Sequence, residues 1–249
     1  MRIVCLSDTH CQQGFDVPDG DVLLHAGDFC SLGSEREVLT FVKWFARQPH
    51  RWKVVVAGNH DRFFETQPEI ARAYLEPDVF YLQDSGCEIE GIRFWGAPWQ
   101  PWFMDWAFNL PKKGAKLRER WNLIPMDTDV LITHCPPYGV LDSLRPRITA
   151  WGPAEEGSEP LGCEELAIRL ASVKPRLHVF GHIHDGYGFL QMGGTTYVNA
   201  SVCNEDYEAI HPVLVVDLEP NGYPRSSVRR RASGKGEESR GNHAPNDHP

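Results

Sequence analysis

Short runs of apolar, often β-branched residues recur along the chain, each ended by Gly, Asp, Asn or His: RIVCL from position 2, DVLLHA from 21, WKVVVA from 52, DVLIT from 129 and LHVF from 177. A strand with one wet face alternates apolar and polar residues, so runs this continuous predict strands buried on both faces. Amphipathic stretches lie between them. In SEREVLTFVKWFARQ, Ser34 and Glu37 have capping-box spacing, and Val38, Phe41, Val42 and Phe45 form one apolar stripe. QPEIARAYLE near 67, PKKGAKLRERW near 111 and GCEELAIRLASVK near 162 predict further helices. Strands alternating with helices predict an α/β fold with parallel pairing. Other segments read as antiparallel: VFYLQ, CEIEG and IRFWG form a hairpin ladder turning at Glu90 and Gly91, and YGFLQMGGTTYVNAS turns at Gly193 and Gly194. VLVVDL at 213 reads as the last strand.

From Arg225 the pattern stops. RSSVRRRASGKGEESRGNHAPNDHP has almost no apolar residues and cannot offset its own ordering entropy. The expected organisation is one domain over residues 1–224 and a disordered polar tail over 225–249. Within the tail, RRRAS places Ser233 in a basophilic kinase pattern, a tetrad that chance readily supplies.

Composition narrows the class. With 41% hydrophobic residues among 249, the chain can bury a substantial core. A net charge of -9 argues against nucleic acid held on a broad basic face, so an anionic substrate would need a local positive centre. The seven cysteines (5, 11, 30, 87, 135, 163, 203) are odd in number and contain no C-x-x-C pair, which suits reduced thiols rather than a disulfide framework. MRIVCLSDTH enters a strand without a signal-peptide h-region, and no apolar stretch approaches the ~18 residues of a membrane span. A soluble cytoplasmic protein is expected.

The candidate chemistry sits at the end of each buried run. After the first comes SDTH with Asp8 and His10; after the second, Asp28; after the third, GNHD with Asn59, His60 and Asp61. The fourth is followed by His134, and the fifth by GHIH with His182 and His184. No one of these motifs is specific, but in open α/β sheets ligands bind beyond the carboxyl ends of the strands, where all five fall. On an extended segment His182 and His184 would share a face with Ile183 turned inward. Two Asp, one Asn and four His, with one carboxylate bridging, make eight bonds, enough for four to each of two ions. Imidazole and carboxylate without thiolate suit Mn, Fe, Zn or Ni more than Ca, and two ions about 3.5–4 Å apart clamp in-line displacement at phosphorus.

In this order, D-x-H, G-D, G-N-H-D, a single His and G-H-x-H resemble the calcineurin-like metallophosphoesterase superfamily over Met1 to Leu218. LLHAGDF, GAPWQPWF, WAFN, DVLITHCPPYGVLD, HVFGHIHDGYG and YVNAS bring the chain nearer to the metallophosphoesterase-domain (brain protein-like) and class III cyclic-nucleotide phosphodiesterase group. The resemblance implies a sandwich of two mixed β-sheets flanked by helices. It implies one ion on Asp8, His10, Asp28 and His184, another on Asp28, Asn59, His134 and His182, and a bridging hydroxide as nucleophile. His60 would stabilise phosphoryl oxygens or protonate the leaving group, and Asp61 would orient its imidazole. The expected activity is hydrolysis of cyclic nucleotides or other small phosphodiesters. A phosphomonoesterase or protein phosphatase, and a catalytically weak metal-binding scaffold of the same fold, stay open as alternatives, as does the oligomeric state. Three further features have two readings each. Trp95, Trp99, Trp102 and Trp106 stack a nucleobase or pack core and rim; Cys135, beside His134, packs rather than attacks; and the loop from Pro136 to Pro160 borders the substrate site or merely connects.

Overall fold

In the computed structural model, residues 1–75, 77, 79–144, 148–149, 152–153, 160–219 and 227–230 are described. The first half of the chain runs β1 (Arg2–Leu6), β2 (Val22–His25), α1 (Glu35–Ala46), β3 (Trp52–Val55), α2 (Arg62–Thr66), α3 (Pro68–Leu75), β4 (Phe80–Tyr81), β5 (Ser85–Ile89), β6 (Ile92–Ala97), β7 (Gln100–Pro101), β8 (Asn109–Leu110) and α4 (Ala115–Trp121). It continues through β9 (Val130–Thr133), β10 (Ile148–Thr149), β11 (Gly152–Pro153), α5 (Glu164–Val173), β12 (Leu177–Phe180), β13 (Gly188–Met192), β14 (Thr195–Asn199), β15 (Leu214–Asp217) and β16 (Ser227–Arg230).

The strands form two large mixed sheets, ordered β16-β15-β1-β2-β3-β4 and β13-β14-β12-β9-β6-β5. The central neighbours are parallel: β1 with β2, β2 with β3, β6 with β9, β9 with β12 and β12 with β14. Alternate residues of each strand serve different layers, which is why the runs are apolar throughout. Ile3 and Cys5 of β1 join Leu24, Val54, Phe94, Ile132 and Val179 in the layer between the sheets. Val4 and Leu6 of the same strand face outward, onto Val38, Phe41 and Phe45 of α1 and Ala71 and Leu75 of α3. The outer face of the second sheet is covered by Leu117 and Trp121 of α4 and by Leu166, Leu170 and Val173 of α5. Each fully buried Leu, Val, Ile or Phe is worth roughly 1.5–3 kcal/mol, so three such layers make the sandwich, and not any one helix, the source of rigidity.

Local signals fall where the sequence places them, except that VFYLQ does not join the antiparallel ladder: Phe80–Tyr81 pair parallel with β3 in the other sheet. Ser34 and Glu37 form the reciprocal capping box of α1, and β5 and β6 turn at Glu90 and Gly91, both with positive φ (51° and 78°). Helix α2 has no counterpart in the apolar pattern; five residues are too few to show a period.

The carboxyl-terminal span differs from expectation at one place. β15 is not the last strand, because Ser227–Arg230 pair antiparallel with it, Val228 opposite Val216. An open sheet edge offers main-chain partners, so a polar segment can add to it without contributing to a core. Ser233 and the rest of the expected tail lie outside the described residues. No described helix is long and apolar enough to cross a membrane.

Deleting residues 225–249 should therefore lower stability, since it strips the ladder from β15 and leaves that edge open. A chain ending at Arg230 should keep that stability. Urea denaturation of the two truncations checks this, and equal midpoints would remove β16 from the domain.

Candidate metal and phosphoester site

At the carboxyl ends of β1, β2, β3, β9 and β12 the backbone turns sharply enough to aim side chains at one another. Asp8, His10, Asp28 and His182 all have positive φ (51°, 40°, 56° and 68°). Asp and His tolerate this region better than most residues, but four instances at one locus are strain that the surroundings must hold in place. The holding bonds are visible: Asp8 N–H donates to Gly27 O, His10 N–H to Asp28 O, and Gly181 N–H to His134 O. The two sheets are joined here as well, Ser7 N–H donating to Ala200 O and Val202 N–H to Ser7 O.

GHIH is not an extended segment. β12 stops at Phe180, His182 is left-handed, and His184 begins a single 3-10 turn ending at Gly186. The alternation expected for a strand is replaced by a turn, and it is the turn that sends the two histidines to different neighbours. His184 groups with Asp8 and His10, whereas His182 groups with Asp28 and His134. Asp28 also groups with His10 and His60, which puts it between the two sets. Gly181 is required by this approach. A Cβ there would lie 1.9 Å from Asp8 Oδ2 and 2.1 Å from Ser7 Oγ.

Distances within the cluster are short. His184 Nε2 is 3.3 Å from Asp8 Oδ1, and His134 Nε2 is 3.2 Å from Asp28 Oδ2 and 2.9 Å from Asn59 Oδ1. Three imidazoles commit their other nitrogen to a backbone carbonyl: His10 Nδ1 to Cys30 O, His134 Nδ1 to Ala26 O and His184 Nδ1 to Asn204 O, at 3.2, 3.0 and 2.8 Å. With Nδ1 on the carbonyls, Nε2 of each ring turns inward, and those of His10 and His184 are 3.3 Å apart. Nδ1 held by a backbone carbonyl with Nε2 turned inward is the orientation that carbonyl-anchored ligand histidines adopt. The seven predicted side chains are thus brought together, and their donor set and ring orientations fit two cations.

Carboxylates and imidazoles also pair as opposite charges. Burial alone would raise the carboxyls of Asp8 and Asp28, but His184 beside the first and His134 beside the second hold both below the usual range. Burial opposes charge on His134 and His184, yet Asp28 and Asp8 bring them up to about 9. At His10 and His182 burial dominates, lowering them to about 4 and about 3.

His60 sits beside this cluster with Nε2 4.0 Å from Asp28 Oδ2. Its Nδ1 is 2.6 Å from Ser31 O, and its ring stacks on Trp106 with centroids 4.0 Å apart. Asp61 does not orient this imidazole. Its carboxylate instead accepts from the backbone N–H groups of Gly58, Asp28 and Cys30 at 2.7, 2.8 and 2.9 Å, tying the β2 and β3 loops together. Burial, then Asp28, push that carboxyl up to about 8, with the Gly58 and Cys30 donors pulling the other way.

Several supporting residues carry no advance signal in the sequence. Ser201 Oγ lies 2.9 Å from Asp8 Oδ2 and 2.8 Å from Asn199 Oδ1, and Asn199 Nδ2 donates to Ile183 O at 2.8 Å. Both belong to YVNAS, legible only as a family string. Tyr207 sets its ring edge-on to His10 with centroids 4.6 Å apart. The tryptophans divide. Trp99 is held by Asp84 at 2.8 Å and lies under the Arg120 guanidinium, Trp95 packs against the α4–α5 layer, Trp106 supports His60, and Trp102 lines the open pocket. Cys135 is buried, its thiol pushed well above the ordinary value by that burial, which suits packing and not attack. Leu144 and Leu161, near the ends of the long loop, line the pocket. That pocket, of about 290 Å³, opens over His10, Asp28, Asn59, His60, His182 and His184.

Comparison with known proteins gives an independent reading. The calcineurin-like phosphoesterase family profile matches residues 1–186. Metallophosphoesterase domain-containing protein 1 of Homo sapiens is 43% identical over 252 residues, covering 91% of this chain and 72% of that protein, and its Mus musculus counterpart matches equally. The Caenorhabditis elegans UPF0046 protein K07C11.7 is 39% identical over 219 residues, covering 82% of this chain and 71% of its own length.

Gly181→Ala should cost at least about 1–3 kcal/mol, the usual penalty for overpacking, because backbone and Asp8 cannot both stay. The denaturation midpoint measures it, and an unchanged midpoint would show that the close approach is not maintained.

Proposed function

The chain belongs to the calcineurin-like phosphoesterase family, and we propose that it is a dinuclear metal-dependent phosphodiesterase acting on small diesters, cyclic nucleotides among them. The observation that carries this reading is the convergence of Asp8, His10, Asp28, Asn59, His134, His182 and His184, with three imidazoles pinned through Nδ1 to carbonyls so that Nε2 faces inward. Asp8, His10, Asp28 and His184 would hold one transition-metal ion, and Asp28, Asn59, His134 and His182 the other. Mn or Fe, and after them Zn or Ni, suit this donor set. When bound, two such ions supply Lewis acidity and a nucleophile available at neutral pH.

The chain's own residues supply orientation and a proton. Ser201 and the His182 N–H bond Asp8 and fix its carboxylate plane, while the Asp61 carboxylate locks the loops bearing Asp28 and Asn59. Because His60 Nδ1 is occupied by Ser31 O, Nε2 is the atom free to carry a proton to the departing oxygen. Trp106 keeps the ring from rotating. A diester is favoured over a monoester on charge. Among the described residues Lys112 is the one Lys or Arg lining the pocket, which suits a monoanion better than a dianion. We place the protein in the cytoplasm on its odd set of free thiols.

The direct test is metal removal and return. Chelation should abolish hydrolysis of bis(p-nitrophenyl) phosphate, Mn²⁺ should restore it better than Ca²⁺, and kcat/KM should exceed that for p-nitrophenyl phosphate. Full activity in a verified metal-free preparation would sink the proposal, and a reversed ester preference would make the protein a monoesterase. His60→Ala should lower kcat by roughly 10²-fold or more, the size of a general-acid contribution, while two metals per chain are retained. If metal content falls in step with rate, His60 is a ligand, as its grouping with His10 and Asp28 would allow.

A further inference from the structure

Three large apolar side chains stand in solvent at the mouth of the pocket: Trp102, Phe103 and Met104 are 53%, 45% and 65% exposed. A contiguous exposed apolar patch usually marks a surface that something covers. The loop bearing these side chains is built to hold them there. β7 and β8 pair beneath it, Gln100 opposite Asn109 and Pro101 opposite Leu110, and Trp102 N–H donates to Leu110 O at 2.8 Å. The Asn109 side chain fills the loop from inside. Its Nδ2 reaches the carbonyls of Phe103, Met104 and Trp106 at 3.3, 3.0 and 2.9 Å, and its Oδ1 accepts from Phe103 N–H at 3.2 Å.

The same loop is fastened to the phosphoester site. Ala107 N–H donates to Asn59 O at 3.1 Å, Phe108 N–H donates to Glu65 at 2.7 Å, the Arg62 guanidinium donates to Asp105 O, and Trp106 stacks on His60. Trp102 and Phe103 line the pocket itself, and the Phe103 ring meets His182 edge-on with centroids 5.8 Å apart. An indole and a phenyl ring are therefore presented, solvent-exposed and rigid, at a fixed separation from the proposed metal ligands.

We propose that Trp102 and Phe103 form a subsite for a planar aromatic substituent of the phosphoester, with Asn109 as the residue that positions it. This rests on the phosphoesterase reading and adds what the substrate carries beside its phosphorus. Both aromatic side chains lose little rotamer entropy on contact, so a flat ring laid against them should gain about tenfold in affinity over an alkyl group of the same charge. Two sources share this chemistry, a nucleobase and a simple aryl ring.

Calorimetric titration of the Mn²⁺-loaded full chain with inorganic phosphate, ethyl phosphate, butyl phosphate, phenyl phosphate and adenosine monophosphate separates the cases. Wild type should bind the two aromatic esters about tenfold more tightly than ethyl phosphate. Trp102→Ala with Phe103→Ala should bring them to the ethyl phosphate level while leaving inorganic and ethyl phosphate unchanged. Asn109→Ala should give a partial loss with the same selectivity. Adenosine monophosphate binding tighter than phenyl phosphate assigns the subsite to a nucleobase, and equal binding assigns it to aryl groups generally. Equal affinity for phenyl and ethyl phosphate in wild type, butyl phosphate matching phenyl phosphate, or uniform weakening in the double variant would each overturn the subsite. If inorganic phosphate itself does not bind, the phosphoesterase reading fails, and the subsite with it.

Discussion

A Cβ at Gly58 would lie 2.3 Å from Asp28 Oδ1, and one at Gly181 would lie 1.9 Å from Asp8 Oδ2, so at both places backbone passes where no side chain could. This close approach is the constraint on which the centre depends. Strand ends from two different sheets must bring seven polar side chains within bonding distance while the strands themselves stay about 10 Å apart across an apolar layer. The chain meets both demands by turning immediately after each strand. Left-handed φ values at Asp8, His10, Asp28 and His182 are the local consequence, and the bonds from Ser7 to Ala200 and Val202 join the two sheets at this point.

Much of this is legible in the sequence because the sandwich buries its strands on both faces. RIVCL, DVLLHA and WKVVVA have no polar alternation to confuse the reading, and the first polar residues after them are necessarily those that leave the core. The ligand candidates stand out for that reason. What stays hidden is whatever acts through backbone or at long sequence separation. Asp61 follows His60 directly, so a role in orienting its ring is the natural expectation. Its three partners are instead backbone N–H groups, two of which lie about thirty residues earlier. Ser201 is separated from Asp8 by 193 positions, and a serine after NA carries no chemical signature of its own. β16 escapes notice because edge pairing asks for main chain, not for apolar side chains.

The acidic surface and the buried centre are complementary. A net charge of -9 would repel an anionic substrate at long range, and at the site the buried carboxylates Asp8 and Asp28 are grouped with imidazoles. Attraction for phosphate therefore has to be generated locally. Histidines tethered through Nδ1 or backbone to fixed carbonyls and carboxylates suit the presentation of ring nitrogens to cations, which would tie substrate binding to metal loading. The scarcity of Lys and Arg among the described residues lining the pocket is then not a deficiency. It leaves the charge at the centre set by the metals, and the walls free to be apolar.

Those walls are placed so that chemistry and selectivity share one support. The segment from Gln100 to Leu110 turns Trp106 inward onto His60 and Trp102 and Phe103 outward onto the pocket mouth, and Asn109 bonds backbone on both sides of that division. The β7–β8 pair belongs to neither large sheet. Its outward residues can change without disturbing a core layer, whereas Ala107 and Phe108, which are buried and bonded to Asn59 and Glu65, cannot. A fold arranged in this way can vary the organic group it accepts by substitution at positions 102 and 103. His60, held by Ser31 O, and the side chains at the strand ends have anchors of their own, and they would remain in place.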